Sequence, residues 1–254
     1  MADVGIRDGH IVKVGDLSGV RARTEIDADG LVVTPGFIDI HSHADTDALK
    51  EARSSLTQGV TTEMLQPDGG GSTDIPQVLS IEQDALGINV GAYVPFGGVW
   101  SQVVGNEDVR PTPAQISAMR ELTVTGLRDG AWGVSAGLFY SPQNLSRTEE
   151  VIDVVKAARP WRTIFTNHLR NENETVVEAT EENIRIGETA GLIPENTHMK
   201  VMGPKNWGKS EQTVGLLNAA TARGTYAPAD VYPYLASSTG LTAIVPSWAQ
   251  EGGN

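Results

Sequence analysis

Short apolar runs and helix-like segments alternate along most of the chain. From residue 36 onward, seven runs have the apolar character of buried strands, and the six segments between them repeat apolar residues at helical spacing. The runs read, in order, GFIDIHSH, GVTTEMLQ, NVGAYVPF, GAWGVSAGLF, RTIFTNHLR, NTHMKVMG and APADVYPYLA. Strands joined by helices in this way form a parallel sheet. The pattern predicts an α/β fold: a (β/α)8 barrel of the TIM type with about seven of its eight strands present.

The first 35 residues follow a different pattern. VGIRDGHIVKVG and TEIDADGLVVTPG alternate apolar and polar residues around Gly and Asp turns, which predicts β-hairpins. We therefore expect an N-terminal β segment over residues 1–35 and a barrel that lacks its eighth strand over residues 36–254. The chain enters a strand almost at once and finishes in the turn residues SWAQEGGN, so we expect it to be truncated at both ends.

Composition narrows the class of partner. The formal charge of −13 disfavours binding to phosphate backbones and anionic membranes, so we expect no nucleic acid or membrane partner. No apolar stretch approaches the roughly 20 residues that a membrane span needs. The start of the chain has no signal-peptide layout, and the chain has no Cys, hence no disulfide and no thiolate metal ligand. We expect a cytoplasmic protein, and the sequence predicts no oligomeric state.

Histidines are few and concentrated at the ends of predicted strands. Of the five in the chain, His10 falls in a predicted hairpin turn. The other four follow or lie in three of the apolar runs: His41, His43, His168 and His198. The carboxyl ends of barrel strands share one rim, where active sites lie, and neutral imidazole is a common ligand of zinc and related ions. The four histidines therefore predict a metal site at that rim.

Several longer motifs indicate a family. GFIDIHSHAD, GVTTE, GVSAGLFYSP, NHLRNE, HMKVMGPKNWGK and DVYPYLASSTGLT occur in this order over nearly the whole chain. Together they resemble the amidohydrolase superfamily and, within it, the N-acyl-D-amino-acid deacylases (D-aminoacylases). The resemblance implies a metal-dependent barrel and a small β-sandwich built from both chain ends, part of which residues 1–35 would supply.

The resemblance also implies the metal ligands. His41 and His43 match the paired ligands of the first strand, and His168 and His198 match the other two imidazoles. Asp68, in the segment QPDG, stands where the deacylases have a cysteine, with Glu63 as the alternative. No lysine lies on the fourth strand, where many superfamily members carry one that bridges two metals. We expect one or two divalent ions, zinc or alternatively manganese, because a carboxylate is a harder ligand than a thiolate.

The implied reaction is hydrolysis of a linear amide C–N bond by metal-activated water, most simply of an N-acyl-D-amino acid. Lys200 and Tyr232 match the family's ligands for the substrate carboxylate, and Tyr234 is a less favoured candidate. The superfamily's catalytic base is an aspartate on the eighth strand, outside the seven runs, so no catalytic residue is assigned. Asp230 belongs to the seventh-strand motif and is not that base. Three further charged residues near the predicted rim are given no role: Asp45, Arg170 and Glu172.

Three alternatives remain open. A cyclic-amide hydrolase of the dihydroorotase or hydantoinase kind would use the same metal site. Residues 203–210, GPKNWGKS, satisfy the phosphate-loop pattern, in which Lys209 would bind phosphates and Ser210 magnesium. Pro204 lacks an amide donor and Trp207 is bulky, both of which disfavour a nucleotide site. An inactive fragment with open barrel edges is the third.

Overall fold

The computed structural model describes residues 2–245 and 249–250. The chain divides into two compact units, residues 1–35 and residues 36–254. Each unit has its own strand arrangement. In the part of the chain that the structure describes, no helix is long and apolar enough to cross a membrane.

The N-terminal unit is a single hairpin followed by irregular chain. Strands β1 (Asp3–Arg7) and β2 (His10–Gly15) pair antiparallel. Asp8 and Gly9 connect them, both at positive φ, which is the backbone geometry that matches the twist of a two-residue hairpin. The second predicted hairpin is wrong: residues 16–35, all described, contain no strand, and their apolar side chains at Ile26 and Val32 are exposed.

The second unit is built on parallel strands in chain order. They form two sheets, one of three strands and one of four. All strand pairs in both sheets are parallel, so their carboxyl ends lie at the same edge. The strands are β3 (Phe37–Asp39), β4 (Val60–Leu65), β5 (Asn89–Ala92), β6 (Val94–Pro95), β7 (Gly133–Gly137), β8 (Ile164–His168) and β9 (Ile193–Asn196). This is the predicted α/β fold, although the sheets do not close into a complete barrel in the described residues.

Helices connect the strands of this second unit, except for β5 and β6, which only Tyr93 separates. Their ends follow local sequence signals: α5 (Pro113–Arg128) begins after Thr112 with Pro at its first position and a capping box to Gln115, and α7 (Val176–Ala190) is followed by Gly191 in the left-handed conformation. The α-helices are α1 (Thr46–Glu51), α2 (Arg53–Thr57), α3 (Ile75–Leu79), α4 (Phe96–Val103), α5 (Pro113–Arg128), α6 (Thr148–Val155), α7 (Val176–Ala190) and α8 (Ser210–Ala222).

The largest apolar core lies between the second sheet and the helices packed on it. Trp100 and Phe96 of α4 contribute two of its largest fully buried side chains, and Phe165 of β8 a third. A smaller cluster around Leu49 and Leu65 packs helix α1 against the first sheet. The larger core includes Phe165 of β8, the strand whose last residue is His168.

Two predicted strands are displaced or shortened. The sixth run, NTHMKVMG, is not a strand; β9 precedes it at Ile193–Asn196, and the chain leaves the ladder before His198, which has a φ of 35°. The seventh run forms only one bridge, between Asn196 and Ala229. Pro228 and Pro233 flank this bridge and cannot donate ladder hydrogen bonds, which explains why it does not extend.

Candidate metal centre

Four imidazoles and one carboxylate meet at the carboxyl edge of the parallel strands. His41 and His43 follow β3, His168 is the last residue of β8, and His198 follows β9. Asp68 lies in a 3-10 turn, Pro67–Gly69, directly after β4. The five predicted metal ligands, separated by up to 157 positions in the sequence (198 − 41), are thus brought together.

Asp68 lies at the centre of this arrangement. Its Oδ2 is 3.5 Å from Nε2 of His41 and 3.2 Å from Nε2 of His43. The same oxygen is 3.9 Å from Nδ1 of His168, and Oδ1 is 3.7 Å from Nε2 of His198. One carboxylate therefore faces one ring nitrogen from each of the four histidines.

The donor atoms form two groups that share Asp68. The outer group is His41, His43 and Asp68, and the inner group is Asp68, His168 and His198. Within each group the potential ligand atoms all lie within 4.8 Å of one another. Ligands at about 2.0–2.2 Å in a tetrahedron around zinc are separated by roughly 3.3–3.6 Å, which is close to the spacings seen here.

An orphaned nitrogen supports the fit to a metal ion. Nδ1 of His168 is buried and has no hydrogen-bond partner. A buried polar atom without a partner costs about 1–3 kcal/mol, and a bound cation would remove that cost. The nitrogen and carboxylate donors present suit zinc, and the carboxylate oxygen also suits manganese.

The turn that carries Asp68 is held by contacts from neighbouring strands. Asp68 has a φ of 57°, a left-handed conformation that Asp tolerates better than most residues. The side chain of Gln143 donates to its carbonyl at 2.8 Å. The Ser135 hydroxyl donates to the carbonyl of Gln66 at 2.6 Å and accepts the Gly69 N–H at 3.2 Å. Gly137 lies against the turn, because a Cβ there would collide with the Asp68 carbonyl.

The HxH pair converges as predicted although its strand is shorter than predicted. Strand β3 ends at Asp39, whose carboxylate accepts the His41 N–H at 3.0 Å. The Nε2 atoms of His41 and His43 nevertheless lie 3.2 Å apart. His41 is mostly covered, whereas the His43 side chain is 66% exposed, so the outer group opens to solvent on the His43 side.

Asp230 holds two of the histidines. Its Oδ1 accepts the backbone N–H of His198, and its Oδ2 is 3.4 Å from Nδ1 of His41. Its own N–H donates to Oε1 of Glu195 at 3.1 Å, and Oε2 of that buried carboxyl accepts the Thr166 hydroxyl at 2.5 Å. A connected set of buried polar groups therefore supports the site from beneath.

His41 of the outer group lies between two carboxylates, Asp68 of the same group and Asp230 behind it. Burial alone would lower the pKa of His41, but hydrogen bonds and charge from Asp230 and Asp68 raise it to about 10. Burial acts to raise the pKa of Asp68, yet its histidine partners hold it well below its ordinary value. At neutral pH a proton on His41 thus stands where a metal cation would balance Asp68.

The two inner histidines differ in the direction of their pKa shifts. Burial lowers the pKa of His168 to about 4, so its ring is neutral at pH 7 and able to bind a metal. Burial also acts to lower the pKa of His198, but Asp68 and Glu172 outweigh it and raise that pKa. Partners including His198 and Lys200 lower the pKa of Glu172 despite its burial.

The predicted substrate ligands lie beside His198. Nζ of Lys200 is 2.7 Å from Glu172 Oε1, 2.8 Å from His198 Nδ1 and 3.0 Å from the His198 carbonyl. It also lies 5.5 Å from the centre of the Tyr232 ring. Tyr234 is 74% exposed and contacts the site only through Tyr232, with ring centroids 6.4 Å apart.

Other candidates lie outside the two groups. The Glu63 carboxylate accepts hydrogen bonds from Ser42, at 2.5 Å, and from Ser55, so the structure does not bring this alternative ligand to the cluster. Asp45 caps helix α1 through its hydrogen bond to the Ala48 N–H. Arg170 pairs with Glu182 at 2.9 Å, and His10 is an exposed residue of β2.

Sequence reasoning left three groups near the site without a role. Glu172 and Asp230 contact the histidines, but only the folded loop after β8 and the segment after α8 bring them there. Phe139 stacks on the His168 ring at a centroid distance of 5.3 Å, and Tyr140 meets it edge-on at 4.7 Å. The aromatic pair follows the buried strand β7 after Leu138, and this position at a strand end is the sequence signal that could have indicated it.

The phosphate-loop motif takes a different structure. Residues Pro204–Lys209 form a 3-10 helix rather than an open loop. The N–H groups of Asn206 and Ser210 donate to the carbonyls of Gly203 and Trp207. Lys209 donates to the carbonyl of Glu174, and the Ser210 hydroxyl to that of Trp207 at 3.0 Å. These donor groups make hydrogen bonds to backbone carbonyls of the protein instead of pointing towards a space for a phosphate.

The chain is similar in sequence to known proteins. The chain is 35% identical over 266 residues to the D-aminoacylase of Alcaligenes xylosoxydans xylosoxydans, covering 94% of this chain and 55% of that protein. No protein-family model matches the chain. The chain spans about half the length of the curated relatives it matches.

Solved structures agree with the sequence match. N-acyl-D-glutamate deacylase from Bordetella bronchiseptica, solved with zinc and a phosphonate inhibitor, superposes with a TM-score of 0.84 at 31% identity. That match covers 92% of this chain and 54% of the other. A D-aminoacylase described as having a binuclear metal centre gives a TM-score of 0.83 at 32% identity, over 92% of this chain and 55% of the other.

Proposed function

Because the chain belongs to the D-aminoacylase and N-acyl-D-amino-acid deacylase family of amidohydrolases, we propose that it forms the metal-binding part of a hydrolase that cleaves the amide bond of N-acyl-D-amino acids. The observation that carries this proposal is the convergence of four imidazole nitrogens on the Asp68 carboxylate at the carboxyl edge of a parallel sheet. Strand ends of this kind are where α/β enzymes place their chemistry.

The proposed metal ligands are the outer and inner groups. Asp68 belongs to both, so the arrangement suits either one ion or two ions bridged by its carboxylate. Zinc fits the imidazole donors, and manganese becomes competitive because the shared ligand is an oxygen. When bound, such an ion polarises the amide carbonyl and lowers the pKa of a water molecule towards about 7.

Lys200 and Tyr232 are the proposed ligands of the substrate carboxylate. The Lys200 ammonium has three N–H donors, and its Nζ lies 2.7 Å from Glu172 Oε1, 3.0 Å from the His198 carbonyl oxygen and 2.8 Å from His198 Nδ1. A substrate carboxylate must therefore replace one of these contacts, most easily the one to the backbone carbonyl. Tyr232 lies against the lysine, where its hydroxyl adds a second donor for the same carboxylate.

The aromatic residues on the other side of the inner group shape the space for the amide. Phe139 and Tyr140 cover the His168 ring, so they restrict water and present an apolar wall to an acyl group. No catalytic base is assigned: Asp230 already accepts the His198 N–H and faces His41, which commits both of its oxygens to the histidines.

A stereochemical assay tests this function. Binding of N-acetyl-D-amino acids, their L-enantiomers and a hydantoin to the zinc-loaded chain is measured by calorimetry. We expect the D-compounds to bind more tightly than the L-enantiomers, with a large loss of affinity in Lys200→Met and less effect in the control Lys205→Met. Binding of the hydantoin without binding of the linear D-amides would contradict the proposal and favour a cyclic-amide hydrolase.

A further inference from the structure

Each histidine of the inner group presents one ring nitrogen to Asp68 and the other to Glu172. For His168, Nδ1 faces Asp68 and Nε2 lies 3.7 Å from Glu172 Oε2. For His198 the ring is reversed: Nε2 faces Asp68 and Nδ1 lies 3.0 Å from Glu172 Oε1. The two oxygens of one buried carboxylate therefore lie behind two histidines that use different ring nitrogens toward the metal position.

The outer group has an equivalent carboxylate of its own. Nε2 of His41 faces Asp68 at 3.5 Å, and Nδ1 on the far side of the ring is 3.4 Å from Asp230 Oδ2. The other oxygen of Asp230 accepts the His198 backbone N–H, and the Asp230 N–H donates to buried Glu195. Asp230 is therefore held in place independently of His41.

A carboxylate behind a ligating histidine accepts its outer N–H, which selects the tautomer that leaves the inner nitrogen free for the metal and fixes the plane of the ring. We propose that Glu172 and Asp230 are the positioning residues of two separate half-sites: Glu172 orients His168 and His198 for an inner ion, and Asp230 orients His41 for an outer ion. This inference rests on the proposed function, because it assumes that both groups bind metal.

A simpler role for Glu172 is to pair with Lys200, whose Nζ is 2.7 Å away. The two roles make opposite predictions for the lysine. If Glu172 acts on the imidazoles, removal of the Lys200 cation leaves metal affinity unchanged or raises it, because a positive charge near the ion is lost. If Glu172 only neutralises the lysine, Lys200→Gln disturbs the site as much as Glu172→Gln does.

Cobalt(II) is the probe that separates the half-sites, because its visible absorption reports the ligand geometry. Metal-free protein is titrated with Co²⁺ in competition with a chromogenic chelator. A His41→Ala/His43→Ala background retains the inner group alone, and a His168→Ala/His198→Ala background retains the outer group alone. Glu172→Gln, Asp230→Asn and Lys200→Gln are then made in each background. Glu182→Gln, whose carboxylate pairs with Arg170, is the matched control.

We expect Glu172→Gln to weaken cobalt binding about 10- to 100-fold in the inner-only background and less than threefold in the outer-only background. Asp230→Asn shows the reverse, since its amide oxygen still accepts the His198 N–H. The visible bands shift only where affinity falls. Glu172→Asp, which keeps a carboxylate on a shorter arm, recovers part of the loss, and it serves as the test if the glutamine variant proves misfolded by circular dichroism.

Three results would overturn the inference. If both variants bind cobalt within threefold of their parents, the carboxylates do not position the histidines, while metal binding by the parents leaves the proposed function standing. If both variants weaken both backgrounds equally, they act through charge alone. If the wild-type chain, folded, binds no cobalt, the proposed function fails together with the inference.

Discussion

The Asp68 carboxylate lies 3.2 Å from Nε2 of His43 and 3.5 Å from Nε2 of His41, at the end of a turn that begins as soon as β4 ends. The four histidines present nitrogen donors, whereas Asp68 is the one anionic member of both groups. Without it, a protonated His41 would keep only Asp230 as a carboxylate partner in the metal-free protein. The first prediction follows from this dependence.

Asp68→Asn is expected to destabilise the metal-free protein by about 3 kcal/mol at pH 7, because it removes one partner of a buried ion pair. Because the pKa of Asp68 is lower in the folded protein than its ordinary value of 3.8, the ionised carboxylate stabilises the fold at pH values above 3.8. This stabilisation is lost as the pH falls below 3.8. Urea unfolding in chelator at several pH values checks this. The difference between variant and wild type should shrink in acid; a constant difference would contradict the electrostatic explanation.

Gly137→Ala is expected to displace the Asp68 turn. The new Cβ collides with the Asp68 carbonyl and lies 2.8 Å from the Tyr140 ring, so we expect a loss of about 1–3 kcal/mol and at least tenfold weaker zinc binding. The matched control is Gly215→Ala in α8, which meets nothing within 4 Å and is expected to stabilise its helix by roughly 0.5–1 kcal/mol. Equal zinc affinity in the two variants would show that the turn tolerates the methyl group.

Metal binding is expected to release at least one proton, because His41 must lose its proton before Nε2 can bind a cation. The pKa of about 10 means that this proton alone makes the apparent affinity rise about tenfold per pH unit up to about pH 10. Calorimetry of zinc binding in buffers of different ionisation enthalpy counts the protons. His41→Gln should lower the count and His10→Gln should not; an unchanged count in His41→Gln would exclude this proton as the source.

The buried Glu195 carboxyl is expected to make the metal-free protein less stable as the pH rises. Burial, with the Asp230 charge, raises its pKa to about 8 from 4.5, so the folded state holds a proton that the unfolded state has lost between these values. Its contribution is fully present below pH 4.5 and falls by about 1.4 kcal/mol per pH unit up to pH 8. Glu195→Gln, compared with wild type by urea unfolding from pH 5 to 8, should remove this slope; parallel profiles would refute it.

Much of the rim was predictable, since it depends on strand periodicity. His41 and His43 converge as the strand pattern predicts even though β3 ends at Asp39, and the parallel order of the strands brings His168 to the same edge. The assignment of Asp68 as a metal ligand rested on the resemblance to the deacylase family alone. The contacts of Asp230 and Glu172 were not predictable, because they depend on loop paths after β8 and β9, including a left-handed His198.

Element boundaries failed where local chemistry conflicted with the apolar pattern. Strand β9 contains Pro194 and Glu195, so the sequence pattern favours the more apolar segment after it. Helix α4 follows β6 without a connecting turn and begins FGG, and the apolar pattern of the third run extends one residue into it, to Phe96. Both are cases in which tertiary packing outweighs local propensity, because the Glu195 and Phe96 side chains are fully buried.

We propose above all that Asp68 joins the four histidines in one metal centre. Elemental analysis of the purified chain, wild type beside Asp68→Asn, measures this directly after equilibration with zinc and gel filtration. We predict one or two zinc ions per folded wild-type chain and less than a tenth of that in the variant. A folded wild-type chain without zinc would show that these residues do not form a metal centre. A variant that retains the wild-type amount of zinc would show that Asp68 is not needed for it.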